Sequence, residues 1–250
     1  NTWHMVDILE KHAGKVVVAN PYKTRLIAEA QIKNDKVDAD ALARLLAANF
    51  ICEVWVPPTE VRQWRKLAQH RGNLRQQSTR IKNRLHSFRQ RHNLHPQLKN
   101  FFNRAGKAWW RQQSWSAGDA LIVSQLLDQL ELIDKQLHDI QQHMACLAAQ
   151  DPRVIRLLQI TGIGLFTAFT VVAVLGDISR FSSPSKLCSY IGLVPRQHQS
   201  GHRGYFGHIT KAGARLLRWL LVEAAQAAIR WDSHWREVHE RIARRRGHAI

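Results

Sequence analysis

Apolar residues recur at every seventh position at Leu67, Leu74, Ile81 and Phe88, with Trp64 and Leu85 on the same stripe. That spacing predicts one long amphipathic helix whose other faces are polar. Farther on, Leu126, Leu130, Ile133, Leu137, Ile140, Met144 and Leu147 alternate intervals of four and three, a coiled-coil seam sustained over three heptads. Such a seam requires an apolar partner, either the first helix folded back or a second subunit. Pro96, Gly106 and Gly118 interrupt the pattern between the two. A helical hairpin with an irregular tip is the simplest topology.

The flanking segments follow other patterns. Val6–Lys11 reads as the tail of a helix, residues 15–21 as a short buried strand stopped by Pro21, and the stretch through Ala41, Leu42, Leu45 and Leu46 as a second helix. Helix, strand and helix in that order predict an α/β unit. Beyond the hairpin, residues 153–168 have the form of a helix-hairpin-helix turning at Gly162-Ile163-Gly164. Gly176 ends its second helix, Ser183-Pro184 opens a third, and Gly192 closes that one. Residues 195–208 read as a glycine-rich basic loop that leads through Thr210–Gly213 into a helix reaching about Arg230. The expected fold is mainly α, divided as a partial α/β segment over 1–55, a coiled-coil hairpin over 56–150 and an α-helical domain over 151–250.

Charge sharpens this picture. The 250-residue chain carries a net +18, which argues for a polyanionic partner. Residues 1–60 are near neutral, whereas Val61–Arg111 holds 14 Lys and Arg and no acidic residue. A solvated helix face normally mixes both signs for i,i+4 support. Arg62, Arg65, Lys66, Arg71, Arg75, Arg80, Lys82, Arg84, Arg89 and Arg91 are therefore candidate nucleic-acid contacts. Residues 116–150 reverse the sign, and the chain turns basic again from Asp151 onward. The longest apolar run, Leu165–Gly176, is about half of the ~20 residues a membrane helix needs, so no membrane span is expected. No secretory leader is expected either. Cys52, Cys146 and Cys188 lie far apart without a Cys-x-x-Cys pair, which excludes a disulfide scaffold or zinc finger and fits a reducing, cytoplasmic compartment.

Three features carry candidate chemistry. Asp35 and Asp38, three apart at the start of a helix, either cap it, with Asp35 as N-cap, or together hold Mg²⁺ or Mn²⁺ for phosphoryl chemistry. Asp40 points away from them, and upstream only Asp7, Glu10 and Glu29 could add carboxylates. Gly162 and Gly164 either form a tight turn or let backbone N–H groups at a helix start approach a phosphate. In the glycine-rich loop, a serine ringed by Arg196, Arg203, Lys211 and Arg218 is either a turn residue or a nucleophile toward a phosphate that the cations neutralise. His198, His202 and His208 lack the spacing and the fourth ligand of a zinc site.

The residues also resemble a family. Lys33-Asn34-Asp35-Lys36-Val37-Asp38-Ala39 is similar to a Lys-Thr-Asp-x-x-Asp-Ala motif. Thr161–Gly164, Gly176–Phe181, Tyr190–Pro195, Ser200-Gly201 and Gly207–Gly213 with Leu217-Arg218 resemble, in order, the C-terminal domain of bacterial insertion-sequence transposases of the 110/116/902 group. The resemblance implies a RuvC-like N-terminal domain with an Asp-Glu-Asp-Asp metal set, a helical spacer for assembly, and a C-terminal domain bearing a nucleophilic serine. By motif, Asp35 and Asp38 are its last two acids and Ser200 its serine. The first Asp and the Glu are expected upstream of Asn1, which makes the chain an N-terminally truncated piece. Many relatives place two hydroxyl residues before the glycine, whereas Gln199-Ser200 stands here, and Tyr205 replaces a residue that is often basic.

The implied activity is cleavage and rejoining of DNA at insertion-sequence ends in the bacterial cytoplasm and nucleoid. The implied partners are DNA, a structured guide RNA and further copies of the chain through the coiled coil. The alternative is a catalytically inactive remnant that still binds nucleic acid.

Overall fold

A computed structural model describes residues 2–27, 34–200 and 203–247; for 25–27, 198–200, 203, 204 and 246 the description is of the backbone. The chain is mainly α and separates into two compact units, Asn1–Pro58 and Thr59–Ile250.

The first unit holds α1 (Thr2–Leu9), α2 (Pro21–Ile27) and α3 (Asp35–Ala47). The strand expected over 15–21 is instead extended backbone with a single antiparallel bridge, Ala19 to Glu53. Its backbone bonds run from Asn20 N–H to Cys52 O at 2.9 Å and from Val54 N–H to Val18 O at 2.7 Å. Pro21 begins a helix as well as ending the extended stretch, because its fixed φ and missing N–H suit a first turn. At α3 the cap is Asn34, whose Oδ1 accepts from Val37 N–H at 2.9 Å. Asp35 is therefore not the N-cap: it lies inside the first turn with Asp38, where both complement the positive end of the helix dipole.

In the second unit, the two long periodic stretches become α4 (Thr59–Arg91) and α6 (Ala117–Ala149), each of 33 residues. They run antiparallel: residues 77–84 face 129–136 across a shallow groove, and His92 meets Asp119 at 3.7 Å. Leu74, Ile81, Leu85 and Phe88 interlock with Leu126, Leu130, Ile133, Leu137, Ile140 and Met144 in one core. The seam of α6 is thus closed by α4 of the same chain. That corrects the expectation of a homo-oligomer built through it, since the stripe that a second subunit would need is already buried. The tip is ordered by α5 (Arg104–Gln112), whose Trp110 is fully buried against Trp109 and Trp115. Ser116 caps α6, accepting from Asp119 N–H at 3.2 Å and donating to Asp119 Oδ2 at 2.7 Å.

The same core continues into α7 (Pro152–Leu158) and α8 (Leu165–Leu175). α8 is apolar almost all round and is accordingly buried. On α4, Trp64 stacks on Phe169 of α8, ring centroids 4.4 Å apart and planes 8° from parallel. Burying the carboxyl end of such a helix leaves carbonyls that need donors. Three arginines supply them. Arg65 donates to Ala173 O at 2.8 Å and Val174 O at 2.6 Å, Arg180 to Leu175 O at 3.1 Å, and Arg153 to Gly176 O at 3.3 Å. The cations also oppose the negative end of the dipole.

After α9 (Pro184–Ile191), capped by Ser183 and ended by Gly192, comes a hairpin of β1 (Pro195–Ser200) and β2 (Arg203–Ile209). This corrects the loop expected over 195–208. The strands pair antiparallel from Pro195–Ile209 to Ser200–Arg203, with an irregularity between Pro195 and Gln197. The run Arg196-Gln197-His198-Gln199 lacks the apolar alternation that marks a strand, and Gly204 and Gly207 weaken β2 further. α10 (Arg215–Trp231) and α11 (Ser233–Arg246) complete the unit. Among the described residues, no helix is long and apolar enough to cross a membrane.

Candidate nucleic-acid interface

The predicted contacts on α4 divide into two sets. Lys66, Arg75, Arg80, Arg84 and Arg91 are exposed, and Arg80, Arg84 and Arg91 follow one another at steps of four and seven along one stripe. Arg62, Lys82 and Arg89 are half-buried: Arg62 donates to Thr59 Oγ1 at 3.2 Å, Lys82 lies 5.4 Å from the centroid of Phe102, and Arg89 lies 4.7 Å from that of Phe101. Arg65 and Arg71 make contacts within the fold. Arg65 clamps the end of α8, and Arg71 stacks on Phe166 at 3.7 Å, where burial, with Arg75 beside it, lowers its pKa from the ordinary arginine value. At the tip, Lys107 and Arg111 pair with Asp134 and Glu131 on α6.

The α7–α8 turn also divides. Gly162 takes φ +90°, and a Cβ there would lie 2.3 Å from Ala224 O on α10. It is therefore a close-packing position against the chain's own helix, whatever its backbone N–H contacts. Gly164 faces open space and caps α8 without a side chain.

On the hairpin, Ser200 is the last residue of β1 and pairs with Arg203, the first of β2. The side chains of Ser200, Arg203 and His198, together with Gly201 and His202, lie outside the described residues, as do Lys33 and Glu29 of the first unit. Arg196 is exposed near the base of the hairpin, four residues from Ser200, about 13 Å at strand rise. Lys211, exposed and left-handed at φ 55°, lies just beyond the base. Arg218 turns inward, donating to Ile191 O at 2.7 Å and Ala212 O at 2.9 Å. Of the four cations expected around the serine, Arg203 is its backbone partner across the hairpin, Arg218 instead braces the hairpin's root, and Arg196 and Lys211 stand at its base.

In the first unit, Asp35 and Asp38 are exposed on the first turn of α3, while Asp40 pairs with Arg44 at 2.9 Å. Among the described residues, no three His, Cys, Asp or Glu side chains come together as a metal site. The two carboxylates suit a hard divalent cation but supply only part of its shell.

One feature escaped the sequence reading. A cleft of about 1310 Å³ runs between α4, α8 and α10, and its rim includes Arg75, Arg80, Arg215 and Trp219. Trp219 sits within a leucine-rich run whose Leu217 and Leu220 are buried, yet it is 51% exposed. An indole out of phase with its helix's apolar stripe was the available signal.

Comparison with known proteins adds the decisive observation. Residues 155–240 match the family described as Transposase IS116/IS110/IS902, and residues 2–93 match a second transposase family, the DEDD type of IS110. The chain belongs to the IS110/IS116/IS902 transposase family. Among similar members, a probable family 20 transposase of Pseudomonas aeruginosa is 33% identical over 109 residues, 44% of this chain and 32% of its own length. The transposase for insertion sequence element IS1111A of Coxiella burnetii is 29% identical over 207 residues, 79% of this chain and 55% of its own. A pilin gene-inverting protein of Moraxella lacunata is 30% identical over 195 residues, 76% of this chain and 52% of its own. The chain thus spans between a third and just over half of the length of these family members.

Proposed function

We propose that this chain is part of a DNA transposase that binds, cuts and rejoins DNA at the ends of an insertion sequence, with Ser200 as nucleophile and Asp35 and Asp38 as two of its metal-binding acids. The observation that carries the reading is the ordered match of two transposase families, one over each end of the chain. The position of Ser200 in the backbone supports its role. It lies at the far end of a hairpin whose root is braced by Arg218, where a strand can present it clear of the helical body.

The chemistry balances without a further reactant. The Ser200 oxygen attacks phosphorus, a phosphoserine ester forms, and one sugar hydroxyl leaves carrying the proton that serine lost. Attack by a second sugar hydroxyl on the ester restores a phosphodiester and returns the proton to Ser200. A divalent ion, Mg²⁺ or Mn²⁺, would neutralise charge on the transferring phosphate. Asp35 and Asp38 would hold it together with acids that the described residues do not provide.

The exposed cations of α4, with Gly164 at the start of α8 in a helix-hairpin-helix role, would grip phosphates of DNA. A structured RNA of the same element would be gripped through shape and backbone. Further copies of the chain would assemble on paired ends by surfaces other than the α6 seam.

The test is a denaturing gel of labelled terminal DNA incubated with the whole transposase of which this chain is proposed to be part. A protein–DNA adduct that Ser200→Ala abolishes, with binding intact, is expected. An adduct retained by the variant refutes the nucleophile assignment. A second reading, binding without cutting, is favoured by the net charge of +18 and the exposed cations of α4, which suit a polyanion without any chemistry. It predicts binding but no adduct from either protein.

A further inference from the structure

The cleft between α4, α8 and α10 has a composition that a purely structural groove does not need. Its apolar lining comes from Phe166 and Val174 of α8 with Leu216 of α10, opposite a polar α4 face that carries Gln69, Asn73, Gln76 and Thr79. The two walls meet closely: a Cβ on Gly72 would lie 3.2 Å from Leu216 Cδ1, so α4 passes α10 at a position with no side chain. The rim is cationic, with Arg75, Arg80 and Arg215 exposed and Glu223 its one acid. Trp219 stands on the α10 wall one turn after Arg215 and keeps half its surface in water. An apolar lining, a cationic rim and an exposed indole are the elements of a single-strand site, in which phosphates track the cations and bases stack on the aromatic ring. A duplex presents its bases edge-on inside its grooves and offers no free face to stack.

We propose that this cleft binds unpaired nucleic acid, with Trp219 as the stacking platform and Arg75, Arg80 and Arg215 on the phosphates. The inference rests on the reading of the chain as a nucleic-acid-binding transposase and adds to it a separate seat for a single strand. The exposed stripe of Arg84 and Arg91 continues beyond this cleft toward the hairpin tip and remains available to a paired backbone. Arg65 and Arg71 lie along the same cleft, but they serve its walls through α8 carbonyls and Phe166.

The experiment measures binding of the 250-residue chain to labelled oligothymidylate, to oligouridylate and to a fully paired, blunt-ended DNA duplex at fixed salt. Trp219→Ala is expected to weaken both single strands about tenfold, while duplex affinity changes less than twofold. Trp219→Phe should recover most of the loss, and an unchanged circular dichroism spectrum and melting temperature verify folding. The thymidylate and uridylate arms decide whether the strand is DNA, RNA or either. Unchanged single-strand affinity in Trp219→Ala, or an equal loss on the duplex, overturns the proposal while leaving nucleic-acid binding in place. A wild-type chain that binds none of the three overturns this proposal and the broader reading together.

Discussion

The indole of Trp64 lies flat on the ring of Phe169, 4.4 Å between centroids. This stacking locks the first turns of α4 onto the middle of α8 and so joins the helical hairpin to the C-terminal region in one core. Its neighbour in sequence, Arg65, reaches the carboxyl end of the same helix. Two adjacent residues thus fix both the position of α8 and the polarity of its buried end.

Trp64→Ala should cost about 3–5 kcal/mol, the range for removing a large buried aromatic ring. The loss should register as a lower urea midpoint. Trp64→Phe, which keeps a stacking partner for Phe169, should lose much less. A chain equally stable with alanine at 64 would mean that α8 is held elsewhere.

Arg65 and the exposed arginines should separate cleanly. Arg65→Ala leaves carbonyls of α8 without donors and should destabilise by about 1–3 kcal/mol, with little change in the salt dependence of DNA binding. Replacing Arg75, Arg84 and Arg91 together should leave the melting temperature alone. It should also reduce the slope of log affinity against log salt by about 0.9 for each phosphate that is no longer neutralised. Unchanged affinity and slope in the triple variant would remove α4 from the interface.

His86 gives the tip a pH dependence. Its ring meets Phe101 and Phe102 edge to face, with Arg89 beside it and Lys82 over Phe102. Burial first, and Arg89 second, push its imidazole below the ordinary histidine range. The unfolded chain therefore takes up the proton at a higher pH than the folded one, and stability present above about pH 6.5 falls as the solution is acidified. Melting temperatures between neutral and mildly acidic pH should drop more in the wild type than in His86→Gln, and parallel curves would refute the assignment.

The long helices were legible because their apolar residues repeat without interruption and each is long enough for the period to be unmistakable. The cap at Ser183 and the stops at Gly176 and Gly192 were legible for a local reason: each closes its helix through partners only a few residues away in the chain. The hairpin was hidden because its strands carry polar side chains and glycines, so pairing rather than alternation defines them. The intramolecular partners of Arg65 and Arg218 were hidden for a related reason. In sequence a cation aimed at phosphate and a cation aimed at a buried carbonyl look the same, and their partners lie 108 and 27 residues away. The acidic pair was legible as a pair, but its role depends on ligands that the sequence spacing did not supply. Gly162 was marked by its residue type, though the neighbour that requires it, Ala224, is distant in the chain.

The arginines clamped on the end of α8 separate attraction from grip. A guanidinium bonded to a carbonyl keeps its charge, so Arg65 and Arg180, unlike Arg153, which pairs with Asp151 at 2.6 Å, still contribute to the long-range field of a chain with net charge +18. In that pose they are turned toward carbonyls rather than toward a phosphate, and they release no counterions when a polyanion docks. An approaching nucleic acid is drawn by more positive charge than later holds it, so low salt should accelerate encounter more than phosphate neutralisation alone would suggest.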